Sequence, residues 1–77
     1  MSQLEWQTEQ QDWGCTSDVR SDRYDLHVAS GTAVRIEIRN GTEDRCVASA
    51  YLETDDIEAG KRVAETMLEI LLRQEER

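Results

Sequence analysis

From Leu4 to Leu52, apolar and polar residues alternate with a period of two, which is the period of a half-buried β-strand. Segments that resemble turns (EQQD, RSDR, SGT and NGTED) separate the alternating runs. The pattern therefore predicts an antiparallel meander of four to five strands between about residues 4 and 52. The alternating positions assigned to one face are Leu4, Trp6 and Thr8; Trp13, Cys15, Ser17 and Val19; Tyr24, Leu26 and Val28; Val34, Ile36 and Ile38; and Cys46, Ala48, Ala50 and Leu52.

The hairpin registers follow from where the turns are placed. Turns at 10–11 and 21–22, with two more centred on Gly31 and Thr42, put the apolar residues of neighbouring strands on one face. A slip of one residue would move them to the other face. On this register Trp6, Trp13 and both cysteines point inward. The outward face carries mixed charge, and its members are Asp25, His27, Arg35, Glu37, Arg39, Arg45, Val47, Ser49 and Tyr51.

The two tryptophans allow two interpretations. Both rings belong to the core at one edge of the sheet, or the first hairpin extends beyond the helix and leaves a ring, preferably Trp6, exposed for binding. Tryptophan is enriched at binding hot spots.

Residues 55–75 have the 3.6-residue periodicity of an amphipathic helix. Asp55 and Glu58 fit a capping box, and Thr54 is the rival cap. The apolar arc covers roughly 200°, formed by Ile57, Gly60, Val63, Ala64, Met67, Leu68, Ile70, Leu71 and Leu72. We therefore predict an α+β fold, in which residues 1–77 form one domain and the antiparallel β-meander packs against one C-terminal amphipathic helix.

Charge narrows the range of partners. The 77 residues include 17 acidic and 9 basic side chains, a formal net charge of −8. Electrostatic binding of nucleic acid needs clustered Lys and Arg, and so does binding to an anionic membrane. We expect neither type of binding. The net negative charge fits a basic protein partner, or serves only to keep the protein soluble. Neither a signal peptide nor a membrane span is recognisable, so we expect a cytoplasmic protein with reduced thiols.

Candidate catalytic and cofactor sites are sparse. The alternation of side chains along the strands puts His27 on the opposite face from Cys15 and Cys46. These three residues therefore form neither a catalytic Cys–His pair nor a zinc site. No phosphate-binding glycine loop occurs, and the run ETDDIE lacks the glycine and the distal Glu of an EF-hand loop. We therefore expect no catalytic, cofactor-binding or metal site and no enzymatic activity.

In size, acidity and order of elements, the whole chain resembles small accessory proteins of phages and mobile elements, among them some anti-CRISPR inhibitors. The β-β-β-α order is also similar to part of the HicB-type antitoxin and double-stranded-RNA-binding folds. The RNA-binding fold has a basic helix start, whereas this chain has Asp55, Asp56 and Glu58 there.

Two functional hypotheses follow. The first is a non-enzymatic inhibitor that binds a nucleic-acid-handling protein and mimics phosphates with acidic side chains; an anti-CRISPR role in a host cytoplasm is its concrete form. Its partner-binding residues would be Asp12, Asp18, Asp22, Asp25, Tyr51, Asp55, Asp56 and Glu58. The second is a homodimeric adaptor or antitoxin-like regulator. Because the helix arc is wider than one sheet face needs, the dimer would form through Val63, Ile70 and Trp6.

Overall fold

The computed structural model describes residues 4–75, in which five strands precede one helix. The strands form a single sheet in the order β1-β2-β3-β4-β5, and each neighbouring pair is antiparallel. The predicted α+β meander with a C-terminal helix is confirmed. The elements are β1 Gln7–Gln11, β2 Gly14–Ser21, β3 Tyr24–Ser30, β4 Val34–Asn40, β5 Arg45–Leu52 and α1 Ile57–Glu75.

The core lies between α1 and the inward face of β3 and β4. Alternate residues of these two strands are buried, as their apolar pattern predicts. Ala64 and Leu68 of α1 are buried and complete the core on the helix side. Burial of aliphatic side chains of this kind supplies about 1.5–3 kcal/mol each. The buried strand residues are Tyr24, Leu26, Val28, Val34, Ile36 and Ile38.

The helix is fixed to the sheet at both of its ends. Near its start, α1 approaches so closely that a Cβ on Gly60 would lie 2.5 Å from Val34 Cγ1 and 2.7 Å from Val28 Cγ1. At its finish, the Tyr24 hydroxyl donates a hydrogen bond to Glu75 Oε1 over 3.0 Å, and Arg23 pairs with the same carboxylate. Burial raises the pKa of Tyr24, and the hydrogen bond to Glu75 raises it further.

The helix begins one residue later than the predicted capping box requires. Asp56, not Asp55, is the cap, since its Oδ1 accepts a hydrogen bond from the Glu58 backbone N–H over 3.0 Å. The backbone carbonyl of Asp55 instead accepts a hydrogen bond of 2.5 Å from the Ser30 hydroxyl, which ties the connection to the end of β3. Thr54 Oγ1 accepts from the Asp56 N–H over 3.3 Å and supports the cap from outside.

The registers differ from the predicted ones, but outside the β5 bulge the strand faces do not. We predicted Val19 opposite Tyr24, whereas Val19 lies opposite Leu26, and Val28 lies opposite Ile36 instead of Val34. These turns fall one residue later than predicted, and the first hairpin turn falls two residues later. Each change shifts the pairing by an even number of residues, so the inward side chains stay inward.

A bulge in β5 reverses the faces of three residues. Ile38 lies opposite Ala48 and Arg39 opposite Cys46, so Val47 is an extra residue on β5. As a result Cys46 is exposed opposite the outward Arg39, and Val47 is half-buried against the core. Arg45 lies opposite the inward Asn40. The predictions of an inward Cys46 and of an outward Val47 and Arg45 were therefore wrong, because simple alternation does not account for an extra residue.

The strand directions assign every loop to one of two ends. The end where α1 begins also carries the β1–β2 turn, the β3–β4 turn and the β5–α1 connection, and we call it the helix-start end. Its loops are residues 12–13, 31–33 and 53–56. The opposite end carries the β2–β3 and β4–β5 turns together with the finish of α1.

Candidate protein-binding surface

The face of the sheet turned away from α1 carries three rows of opposed side chains. Two rows are mostly charged, while the row nearest the helix-start end contains one charged residue among small and aromatic neighbours. In order from β2 to β5, the rows are Thr16, Ala29, Arg35 and Tyr51; Asp18, His27, Glu37 and Ser49; and Arg20, Asp25, Arg39 and Cys46.

Trp13 lies beside the first of these rows and not in the core. The β1–β2 turn is formed by Asp12 and Trp13 themselves, which removes Trp13 from the alternation of β2. Gly14 follows with a φ of 154°, and a Cβ there would lie 1.9 Å from the Ser30 carbonyl oxygen. The Trp13 ring is directed toward Gly31, and its side chain is 59% exposed. The inward prediction for Trp13 was wrong.

Trp13, Arg35 and Tyr51 line one shallow depression, which we call the aromatic surface. Small residues of the β3–β4 turn and of β3 form its floor, so the two rings project above their neighbours. Tyr51 is 64% exposed. Trp, Tyr and Arg are the residue types most enriched at binding hot spots. Among residues 4–75, Trp13, Tyr51 and Ile70 are the exposed large hydrophobic side chains, and two of the three meet here.

Next to the aromatic surface, most charges on the sheet face are already paired. Asp18 and His27 Nδ1 share a hydrogen bond of 2.5 Å, and Arg20 Nε lies 3.7 Å from Asp25 Oδ1. These contacts are exposed, so each contributes at most about 1 kcal/mol. Arg20 therefore offsets the charge of Asp25, one of the acids that we predicted to bind a partner, while Asp18, another of them, shares its hydrogen bond with His27.

The remaining predicted acids divide between the two ends of the molecule. Asp22 lies in the β2–β3 turn at the far end, where its φ is 58°. Exposed acids at the helix-start end form the larger group, and Glu53, which the sequence analysis missed, is one of them because it directly follows β5. We call this group the acidic rim, and its members are Asp12, Glu53, Asp55, Asp56 and Glu58.

The acidic rim borders the aromatic surface. Asp12 precedes Trp13 in the same turn, and Glu53 lies two residues beyond Tyr51. Lys61 Nζ lies 2.9 Å from Glu58 Oε2, so one rim carboxylate has a basic neighbour. The helix-start end therefore offers apolar rings and an arginine within a largely negative border.

The residues that we predicted for a dimer lie on two sides of α1. The Trp6 indole Nε1 donates a hydrogen bond of 2.9 Å to Glu65 Oε2, and the half-buried ring packs against the core. At 100° per residue, Glu65 lies about 140–160° around the helix from Val63 and Ile70. Trp6 thus covers the β1 side of α1 and shares no surface with the other two residues.

Potential metal ligands and thiols were also located among residues 4–75. Within residues 4–75 no group of three or more His, Cys, Asp and Glu side chains is placed to hold a metal ion. Cys15 and Cys46 are free thiols, the first half-buried and the second exposed. In the part of the chain that the structure describes, no helix combines the length and the apolar character needed to cross a bilayer.

Comparison with models of protein families, with curated proteins and with solved structures found no match for this chain.

Proposed function

We propose that the protein is a small non-enzymatic inhibitor that binds another protein through the aromatic surface and the acidic rim. The observation that carries the proposal is the meeting of Trp13, Arg35 and Tyr51 beside a border of exposed carboxylates. Large exposed rings that converge on one depression are costly to leave in water unless a partner covers them.

The charge of the rim favours a basic partner. Carboxylates around an apolar centre attract a positive surface and fix its orientation, while the buried rings supply most of the affinity. Proteins that handle nucleic acid present such basic surfaces, where Lys and Arg neutralise phosphates. Asp12, Asp55 and their neighbours would occupy positions that phosphates otherwise take. An antidefence inhibitor of anti-CRISPR type is the concrete form of this proposal.

The test is a capture experiment with matched variants. Immobilised wild-type protein is incubated with a lysate of a host that contains nucleases and defence complexes, and the retained proteins are identified and purified. We expect a specific nucleic-acid-binding protein whose binding to its own DNA or RNA falls when the inhibitor is added. Trp13→Ala and Tyr51→Ala should each weaken this complex at least about tenfold, the effect of 1.4 kcal/mol.

Two controls separate the surface from general effects. Gln7→Ala shortens an exposed side chain on the opposite edge strand β1, and Glu69→Gln removes an exposed acid outside the rim; both should bind as the wild type does. Asp12→Asn combined with Asp55→Asn should weaken binding more at low salt than at high salt, since salt screens exposed charges. Equal binding by Trp13→Ala and the wild type, or a retained protein that still binds its nucleic acid, would contradict the proposal.

A further inference from the structure

Residues 4–75 leave the β5 edge of the sheet uncovered. Among the described strands β5 pairs with β4 alone, and α1 lies over β2, β3 and β4. The inward residues Ala48, Ala50 and Leu52 are only half-buried, although their partners on β4 are fully buried. An edge strand with free backbone groups and apolar side chains is a template for pairing with another strand.

This edge lacks the charges that usually protect one. The segment from Val47 to Leu52 contains no charged residue, although 34% of the chain is charged. The other edge strand, β1, has the sequence QTEQQ, which is polar throughout and shorter. Protected edges are commonly short, polar or charged. The β1 edge therefore has the features of a protected edge, whereas the β5 edge has those of an edge that can pair with another strand.

The flank of α1 nearest to β5 continues the uncharged surface. Val63, Met67 and Ile70 lie on the side of the helix opposite to Glu65, which Trp6 contacts on the β1 side. Ile70 is 49% exposed. The acids of α1, Glu58, Glu65, Glu69 and Glu75, all lie at least about 100° around the helix from Val63 and Ile70. Acidic side chains are therefore absent from this flank of α1.

We propose that a second copy of this chain covers the surface by pairing β5 with β5 about a two-fold axis at Ala50. The two sheets then become one, with Ala48 opposite Leu52 of the second copy and Ala50 opposite its own equivalent. This register uses residues 48–52, which form the regular part of β5, and stops before the bulge at Val47. A two-fold axis makes the contact closed and self-complementary.

The charge distribution confines the association of two copies to this surface. Two chains with a net charge of −8 repel each other over most of their surfaces. Apposition of the two uncharged edges keeps the acidic rims and the acids of α1 apart. A domain of this size also buries only about 60% of the surface that its unfolded chain exposes, so added apolar burial is valuable.

The shapes also fit in this register. Because α1 is fixed near Val34 at its start and at Tyr24 at its finish, residues 67–70 lie level with Ile38, and Ala48 is the neighbour of Ile38 on β5. Ala48 is small and only half-buried. In the proposed pairing, Leu52 of the second copy lies opposite Ala48 and covers it.

The dimer brings together the aromatic surfaces of the two copies. The dimer itself does not depend on the proposed function. Ser49 and Tyr51 point outward, and in the proposed register Ser49 lies opposite Tyr51 of the second copy. The outward faces of two chains thus form one continuous surface. It has a tyrosine from each copy beside the two-fold axis and a Trp13 further out on either side.

Sedimentation equilibrium at tens of micromolar tests the association. The wild type should have twice the chain mass of 8.9 kDa. Ser49→Lys and Ile70→Lys place charges at exposed positions of the surface, and each should raise the dimer dissociation constant at least tenfold. Gln7→Lys is the matched control on the β1 edge and should leave the mass unchanged. A wild-type mass near 8.9 kDa, or a dimer that both surface variants retain, would overturn the proposal.

Disulfide trapping tests the register. In a background with Cys15→Ser and Cys46→Ser, Ala50→Cys should form a covalent dimer, because residues directly opposite in antiparallel strands have Cα atoms about 4.5–5.5 Å apart, within the range of a disulfide. Ser49→Cys should not, since the two equivalents are offset by two positions along the strands. Circular dichroism verifies that each variant is folded. A crosslink through residue 49 in place of residue 50 would refute the register.

Discussion

Gly60→Ala tests how closely α1 is seated on the sheet. At an exposed position in the middle of a helix, changing Gly to Ala stabilises a protein by about 0.8–1 kcal/mol. Gly60 is buried, however, and the new Cβ would lie 2.5 Å from Val34 Cγ1 and 2.7 Å from Val28 Cγ1. Both distances are far shorter than a normal carbon–carbon contact of about 3.5–4.0 Å.

The expected net effect is a loss of stability. The methyl groups of valine are stiff at χ1 and cannot swing aside, so the helix must move away from the strands. Extra methyl groups in a packed core cost about 1–3 kcal/mol. After subtraction of the helix-propensity gain, Gly60→Ala should lower the free energy of unfolding by up to about 2 kcal/mol.

The assay is urea unfolding monitored by circular dichroism. Arg62→Ala and Arg62→Gly provide the matched reference, because Arg62 is exposed two residues further along α1. There the alanine variant should be the more stable by about 1 kcal/mol. At residue 60 the order should be reversed.

A double-mutant cycle with Val34→Ala isolates the contact. Removing the nearer methyl group should reduce the cost of Gly60→Ala by about 1 kcal/mol or more, a coupling typical of residues in direct contact. If Gly60→Ala stabilises the protein by as much as the exposed reference does, α1 does not lie on Val28 and Val34, and the packing described above is incorrect.

Three further predictions concern the core, the first hairpin and pH. Ile36→Ala empties a fully buried site and should cost about 2–5 kcal/mol in the same urea assay, so a wild-type midpoint would contradict the fold. Gly14→Ala should destabilise by several kcal/mol, because its Cβ would meet a backbone oxygen at 1.9 Å and its φ of 154° is strained for alanine; a change below about 1 kcal/mol would speak against this hairpin geometry. Because folding raises the pKa of Tyr24, the contribution of its hydroxyl to the free energy of unfolding is complete below the unfolded-state pKa near 10 and is lost as the pH rises toward the folded-state pKa. Tyr24→Phe should therefore remove this alkaline loss of stability. Identical alkaline unfolding of the two proteins would argue against the burial of Tyr24.

The faces of the strands could be predicted from the sequence, but the registers could not. The alternation of apolar residues indicates which side chains are buried. A register error of two residues keeps every side chain on the same face, so the alternation cannot reveal it. Turn geometry decides the register instead. Asp22 and Asp44 adopt φ values of 58° and 53°, a conformation that Asp tolerates better than most residues, and the alternation pattern contains no information about it.

The candidate surface illustrates the same division. Tyr51 is predicted correctly as an outward residue because it follows the alternation of β5. Extending the alternation of β2 back to Trp13 places that residue in the core, although it lies in the β1–β2 turn. The signal against that assignment was Gly14, since a glycine directly after Trp13 indicates a turn at least as strongly as Gln10 and Gln11 do.

The bulge in β5 determines which chemistry each face of the edge strand presents. Without the extra residue, Cys46 would point toward the core and Val47 toward solvent, and the uncharged edge would run on toward Arg45. With it, Val47 packs against the core and Cys46 lies on the outward face opposite Arg39. Bulges twist an edge strand and end its pairing. In the proposed dimer, the bulge therefore limits the open edge to residues 48–52, which is long enough to pair one strand about Ala50 and too short to extend the contact toward the charged β4–β5 turn.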